Sequence, residues 1–133
     1  MLRRMQGDAF AALGFGPSEC PYRITASGSH WRLRDYGDRR ALRSLLIVAA
    51  PIKRPYIWDL APTVSAIRYC LGQNLHVRLL EWTPASRDTG HIGIDECARA
   101  ISACVTKVSN EDRGSKPFLI GHSLGGTLAA LYA

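Results

Sequence analysis

The segment that constrains the fold most is Pro117-Phe-Leu-Ile-Gly-His-Ser-Leu-Gly-Gly-Thr-Leu-Ala-Ala-Leu-Tyr-Ala133. Residues 117–120 can form a buried strand, and the Leu/Ala-rich residues at the end of the segment have helical character. Between them lies Gly121-His-Ser-Leu-Gly125, a G-x-S-x-G motif in the strand, sharp turn and helix context that a nucleophile elbow requires. The segment therefore predicts Ser123 as a catalytic nucleophile.

The glycines of this motif have a steric reason. A serine at the tip of a tight strand-to-helix turn takes a strained backbone, and side chains two residues before and after it would collide with neighbouring backbone. Gly121 and Gly125 occupy those two places, and Gly126 extends the allowance to the close approach of helix and sheet. We expect Leu124 N–H, at the positive end of the helix, to be the first oxyanion-hole donor. A Gly-rich turn without chemistry is the alternative.

Length and composition indicate one globular domain. The chain has 133 residues, of which 47% are hydrophobic, and no apolar run reaches the roughly 18 residues of a membrane span. The first residues do not form a secretory signal, so we expect a cytoplasmic protein. We expect no cofactor and no metal, because the spacing of the cysteines is not that of a metal site and predicts reduced thiols: Cys20, Cys70, Cys97 and Cys104.

The net charge of +6 is unevenly placed. Residues 1–54 hold ten Lys and Arg against four Asp and Glu, whereas residues 55–133 hold seven of each. A basic half can attract an anionic partner such as a phosphate-bearing acyl carrier. It lacks the clustered cations with interleaved aromatic residues of a nucleic-acid surface, so we expect no nucleic-acid partner and interpret it as a solvated Arg-rich face.

Strands and helices are predicted to alternate along the chain. They are a hairpin at 22–26 and 30–36, a buried strand at 44–50, a helix capped by Asp59, a strand at 76–82, a helix capped by Asp95, and the Ser123 segment. This alternation implies a mostly parallel sheet covered on both faces. The order is that of the N-terminal half of an α/β-hydrolase, with an arm at 1–20 and a partial hydrolase domain at 21–133.

The loop after the third strand supplies the second oxyanion donor in that fold. Here the loop begins at Pro51, which has no N–H. Ile52 or Lys53 is therefore the candidate donor.

Several segments together resemble the polyhydroxyalkanoate synthases, which polymerise hydroxyacyl-coenzyme A thioesters into storage polyester. They are Leu45-Leu-Ile-Val48 with Ile52, Tyr56-Ile-Trp-Asp-Leu60, Glu81-Trp-Thr-Pro84, Gly93-Ile-Asp95 and the Ser123 motif with its doubled glycine. The resemblance covers roughly residues 20–133. Its most discriminating part is residues 56–60, because lipases, esterases and thioesterases share the motif around Ser123.

The resemblance implies an acyl ester or acyl-CoA-type substrate, with a second copy of the chain or a polyester granule as further partners. The family has a cysteine at the nucleophile position, where this chain has Ser123. A thiolate is the better nucleophile toward thioesters, and a serine needs a stronger base. We therefore expect acyl transfer, or ester or thioester hydrolysis, through Ser123. The polymerase activity of the family is not part of this expectation.

The rest of a catalytic triad is not visible after Ser123. In α/β-hydrolases an Asp or Glu and then a His follow the nucleophile, but none of the ten residues after Ser123 is acidic or a histidine. His122 should point away from the serine hydroxyl, and His91 is a weak candidate for the base. We expect the N-terminal part of a longer protein, or a degenerate copy that acts as a non-catalytic binding or assembly module.

Overall fold

A computed structural model describes residues 9, 12–14, 16–37, 40–84 and 92–133. The strands are β1 (Arg23–Ser27), β2 (Trp31–Asp35), β3 (Arg43–Val48), β4 (Asp59–Ala61), β5 (Val64–Ser65), β6 (Leu75–Trp82) and β7 (Phe118–Gly121). The helices are α1 (Ala66–Gly72), α2 (Ile94–Glu111) and α3 (Leu124–Tyr132), and a short 3-10 helix spans Pro55–Trp58. The predicted alternation of strands and helices is thus confirmed.

The main sheet has the strand order β1-β2-β6-β3-β7. Strand β3 is parallel to both of its neighbours, β6 and β7, whereas β1, β2 and β6 are antiparallel to one another in turn. Helices cover both faces, since α2 and α3 pack on one face and α1 packs on the other. This is the α/β-hydrolase arrangement that the sequence predicts.

The surroundings of the central strand β3 explain why apolar residues follow one another along it. Residues 44–48 are all buried, because β6 and β7 flank the strand and each face is covered by a core. Leu46 and Val48 face the core beneath α2 and α3, whereas Leu45 and Ile47 face the core beneath α1. A strand enclosed in this way has no solvent-facing positions, so its sequence does not alternate.

Helix α2 buries an apolar stripe whose residues recur at helical spacing. Its buried residues include Cys97, Ile101, Cys104 and Val108. All four cysteines of the chain are free, and burial raises the pKa of the Cys104 thiol to about 12. The stripe is therefore part of the core, as the helical spacing indicates.

The beginnings of two helices differ from the prediction. Asp59 does not cap α1, because the helix starts at Ala66 and the side chain of Ser65 accepts the N–H of Arg68 at 2.9 Å. Asp59 is instead fully buried in β4, where it accepts a hydrogen bond of 2.6 Å from Ser65 Oγ. Helix α2 is capped by Gly93, and Asp95 lies in its first turn.

A buried polar network lies at the end of the sheet where β3 begins. Arg78 donates to Ser44 Oγ at 2.7 Å and to Glu111 Oε2 at 3.1 Å. Its Nε lies 3.7 Å from Asp35, which in turn bonds His76 Nε2 at 2.8 Å. Arg78 and His76 are almost fully buried, so these contacts replace the water that both side chains lose on folding.

Within the described ranges, none of the helices combines the length and the apolar content needed to cross a bilayer.

Candidate active site

Ser123 lies at the tip of the turn between β7 and α3. Its φ of 58° and ψ of −133° fall in a region that residues other than glycine rarely adopt. A backbone of this kind costs about 1–3 kcal/mol and persists only where its surroundings impose it. Ser123 is exposed and its side chain makes no capping hydrogen bond to α3, so its hydroxyl is not engaged by the start of the helix.

The glycines around Ser123 allow two backbone segments to approach closely. A Cβ on Gly121 would lie 2.6 Å from the carbonyl carbon of Gly125. A Cβ on Gly125 would lie 2.8 Å from the carbonyl carbon of Ala49, and one on Gly126 would lie 3.0 Å from Gly121 O. The first turn of α3 therefore rests directly on the end of β3 and on the end of β7.

The loop after β3 forms a tight turn beside this contact. Lys53 N–H donates to Ala50 O at 3.0 Å, and Pro51 occupies the second position of the turn, where proline is favoured. Lys53 N–H is thus already bonded within the protein. No acceptor for Ile52 N–H lies among the described residues, so of the two predicted donors Ile52 has the available N–H.

A cavity of about 750 Å³ brings the predicted oxyanion residues to one place. Ile52 and Lys53 line it from the loop after β3, and Leu124 lines it from the start of α3. Helix α3 begins at Leu124, whose N–H therefore has no carbonyl partner in its own helix. The rest of the lining is largely apolar and includes Trp82, Pro84, Ile92, Ile94, Cys97 and Leu128.

Charged side chains lie on the same cavity. Lys53 and Arg54 are exposed there, and Arg32 binds Glu81 through two hydrogen bonds of 2.7 and 3.0 Å. Burial alone would raise the pKa of Glu81, but the hydrogen bonds from Arg32 and Arg34 outweigh it and lower that pKa. Glu81 is therefore a carboxylate engaged with two arginines and is not suited to act as a general base.

The histidines do not supply a base for Ser123 within the described part of the chain. His122 is its exposed neighbour, His30 bonds Ser29 Oγ at 3.0 Å, and His76 bonds Asp35 at the opposite end of the sheet. His91 lies outside the described residues. In the same described ranges, no three His, Cys, Asp or Glu side chains stand together in a way that would hold a metal ion.

Sequence reasoning missed a contact that joins two parts of the site. Trp82 Nε1 donates to Ala49 O at 2.6 Å, and this links the end of β6 to the start of the loop that carries Ile52. The only sequence signal was that Trp82 belongs to the Glu81–Pro84 segment, one of those that carry the resemblance.

Solved structures share this fold at low sequence identity. The chain matches a carboxylesterase of the ammonia-oxidizing thaumarchaeon Nitrososphaera gargenis with a TM-score of 0.59 and 21% identity, over 84% of this chain and 39% of that one. It matches a predicted CIB-like hydrolase of Thermoplasma acidophilum with a TM-score of 0.57 and 14% identity, over 88% of this chain and 56% of that one. These likenesses establish the α/β-hydrolase fold.

Sequence relatives are more specific. The chain is 38% identical over 90 residues to the poly(3-hydroxyalkanoate) polymerase subunit PhaC of Haloferax mediterranei, which is 67% of this chain and 18% of the relative. It is 34% identical over 89 residues to the subunit of the same name from Haloarcula marismortui, which is 66% of this chain and 19% of the relative. Over two thirds of its length the chain is similar to these poly(3-hydroxyalkanoate) polymerase subunits, and it has the α/β-hydrolase fold.

The polymerase-like similarity is confined to part of these relatives. The chain spans about a fifth of the length of the two PhaC subunits. A longer alignment with PhaC of Synechocystis covers 91% of this chain and 32% of that subunit at 27% identity. No protein-family model matches the chain.

Proposed function

We propose that this chain uses Ser123 as the nucleophile for acyl transfer, or for ester or thioester hydrolysis, in chemistry related to polyhydroxyalkanoate synthesis. The observation that carries the proposal is the positive φ of Ser123 in an exposed turn between β7 and α3. Strained backbone of this kind is retained where it serves a site. The turn matches the context in which a G-x-S-x-G serine acts as a nucleophile.

Two backbone N–H groups are proposed to stabilise the oxyanion. Leu124 supplies one from the first turn of α3, where the helix dipole favours negative charge. Ile52 supplies the other from the tight turn after β3, and both residues line the same cavity. In this role Lys53 is the weaker candidate, because its N–H is bonded to Ala50 O.

The reaction begins with attack of Ser123 Oγ on the carbonyl carbon of the acyl substrate. A C–O bond forms, the hydroxyl proton passes to a base, and the bond to the departing alkoxide or thiolate breaks as that group takes up a proton. The base is proposed to come from residues outside those described. The apolar part of the cavity suits an acyl chain, and an acyl ester or acyl-CoA-type thioester is the proposed substrate class.

The test is covalent labelling of the intact chain with an activated acyl ester, read by peptide mass spectrometry. We expect an acyl adduct on the peptide that contains Ser123, and no adduct there in Ser123→Ala. Ser115→Ala is the matched control, since Ser115 is also an exposed loop serine. Equal labelling of the Ser123 peptide and the Ser115 peptide would exclude a special nucleophile.

A second variant examines the difference from the polymerases. Ser123→Cys should react faster than the parent chain with an acyl thioester at neutral pH, because a thiol ionises far more readily than an alcohol. A thioester reaction no faster than that of Ser123→Ala would show that the turn does not present its side chain to the cavity.

The alternative is a non-catalytic module that binds a polyester granule or a second copy of the chain. It is favoured by β7, which pairs only with β3 among the described strands and exposes Phe118 and Ile120 at 52% and 41%. Sedimentation with polyester granules by Ser123→Ala, lost in a Phe118→Ser/Ile120→Ser variant, would support this alternative. Absence of sedimentation by the parent chain, together with a monomeric mass at high concentration, would dismiss it.

A further inference from the structure

Ala49 is held from three directions at the point where β3 leaves the sheet. Its N–H donates to Leu80 O at 3.3 Å, and its carbonyl accepts the indole N–H of Trp82 at 2.6 Å. Its third neighbour is Gly125, where a Cβ would lie 2.8 Å from the Ala49 carbonyl carbon. The Ala49 peptide is therefore clamped between β6 and the first turn of α3.

The clamp is connected rigidly to Ile52. Only Ala50 and Pro51 separate Ala49 from Ile52, and the ring of Pro51 fixes one of the intervening dihedral angles. The hydrogen bond from Lys53 N–H to Ala50 O closes the turn around Ile52. A shift of the Ala49 carbonyl thus moves Ile52 N–H with it.

Gly125 links the same clamp to the nucleophile. It lies two residues after Ser123 and one after Leu124, and it is buried against Ala49. The distance between the two proposed oxyanion donors is therefore set by how Ala49 sits between Trp82 and Gly125. Two polar contacts fix Ala49 from the β6 side: Leu80 O accepts its N–H, and the indole N–H of Trp82 is the one that holds its carbonyl.

We propose that Trp82 is a positioning residue that sets the place of Ile52 N–H relative to Ser123 and Leu124. This inference rests on the proposed function of Ser123. Trp82 acts through the Ala49 carbonyl, and the effect of its loss falls on stabilisation of the oxyanion rather than on exposure of the nucleophile. Oxyanion donors act over narrow distances, so a small displacement of one donor lowers the rate of acylation.

The test compares two reactions at one side chain in the full chain carrying Ser123→Cys. Acylation by p-nitrophenyl butyrate forms a tetrahedral oxyanion before p-nitrophenolate leaves. Alkylation by iodoacetamide displaces iodide directly and forms no oxyanion. Peptide mass spectrometry follows both at the Ser123→Cys position and separates them from the four natural cysteines, and the ratio of the two rates reports oxyanion stabilisation.

We expect Trp82→Phe to lower this ratio by about 10-fold to 100-fold. Trp58→Phe is the matched control, because Trp58 is also partly buried but its Nε1 has no hydrogen-bond partner in the described structure. It should leave the ratio unchanged. Replacement of Trp82 by benzothienylalanine, which keeps the bicyclic ring and lacks the N–H, should repeat the loss and decides the matter if Trp82→Phe does not fold.

Two results would overturn the inference. One is a ratio in the benzothienylalanine variant equal to that of the parent. The other is a ratio of acylation to alkylation in the Ser123→Cys chain no higher than that of free cysteine, since Trp82 would then have no oxyanion donor to position. Failure of the proposed function looks different: the natural chain forms no acyl adduct at Ser123, although the ratio in Ser123→Cys still depends on Trp82.

Discussion

At the end of the sheet where β3 and β7 stop, Ser123 has a strained backbone, and Leu124 and Ile52 line a cavity. At the other end, where the same strands begin, Arg78 and His76 are buried. Arg78 contacts the carboxylate of Glu111, and His76 contacts the carboxylate of Asp35. We call these the site end and the network end. One sheet thus carries a strained turn at one end and a buried cluster of paired charges at the other.

The difference separates binding capacity from stability. Donors without partners and a strained turn are available to a substrate, but they lower the stability of the free protein. A buried charge that keeps its partners holds strands and helix together, and removing one partner is far more harmful than never having the pair. We expect substitutions at the two ends to differ in size and in sign.

The largest effect should come from Arg78→Ala at the network end. The change leaves Asp35, Glu111 and Asp112 without their shared cation, and breaking a buried ion pair costs about 3–5 kcal/mol of unfolding free energy. Urea denaturation measures the loss. Arg99→Ala, which removes an arginine with a 74% exposed side chain, should change little. Equal losses in the two variants would contradict the importance of the network.

Gly125→Ala at the site end should have the next largest effect. The new Cβ would meet the backbone of Val48 and Ala49, which cannot move aside as a side chain does, so we expect a loss of about 3 kcal/mol. Gly72→Ala is the control, because a Cβ there has no neighbour within 4 Å and the φ is not positive. Thermal unfolding of the two variants should differ clearly, and similar midpoints would contradict the close approach of α3 to β3.

Ser123→Gly should reverse the sign. Glycine adopts the positive φ without strain, so we expect a gain of about 1 kcal/mol in unfolding free energy together with loss of the acyl adduct. Ser115→Gly, at a serine without positive φ, should give no gain. The same urea experiment checks both, and a Ser123→Gly chain less stable than the parent would mean that Ser123 is not strained.

The smallest effect is expected in the pH dependence of stability. Burial alone would raise the pKa of Asp35, but the hydrogen bonds from His76 and from Gly37 N–H, with the nearby charge of Arg78, lower it. The pKa of Glu81 is also lowered. A lowered folded-state pKa contributes stability that is present above the unfolded pKa, about 4 for carboxyls, and is lost as the pH falls through the folded value.

Unfolding free energies between pH 7 and pH 3 test this at both ends. Stability should fall on acidification. The slope of unfolding free energy against pH should be smaller in Glu81→Gln, because this side chain has no carboxylate to take up a proton. Asp95→Asn, in an exposed first helical turn, serves as the control. An unchanged slope in Glu81→Gln would show that the arginines do not hold this carboxylate ionised.

Local patterns predicted the elements well, and the reason is visible in β3 and α2. The apolar run of β3 and the stripe of Cys97 to Val108 are set by period and burial, which neighbouring residues in the sequence record. The strand and the helix on either side of Ser123 also lie where the sequence places them, because Gly121 and Gly125 mark the turn within two residues of the serine. That this turn is a nucleophile elbow stays a prediction.

Contacts between distant residues were the part that sequence did not reveal. Asp59 was predicted as a helix cap, but its partner Cys20 lies 39 residues earlier and draws the carboxylate into the core. The bond from Trp82 to Ala49 spans 33 residues and has no local signature. One signal was present: His76 and Arg78 lie on one face of the largely apolar first part of β6, which indicates a buried polar cluster.

The strand order also has a consequence for how the chain is made. Strand β3 pairs with β6 and β7, which both lie later in the chain. The shortest separation is the 27 positions from Val48 to Leu75, and the longest is the 78 positions from Arg43 to Gly121. During translation, residues 44–48 therefore emerge with no neighbour for either edge, whereas the hairpin of β1 and β2 can close at once. We expect chaperones to protect this apolar segment of the nascent chain from aggregation until β7 has left the ribosome.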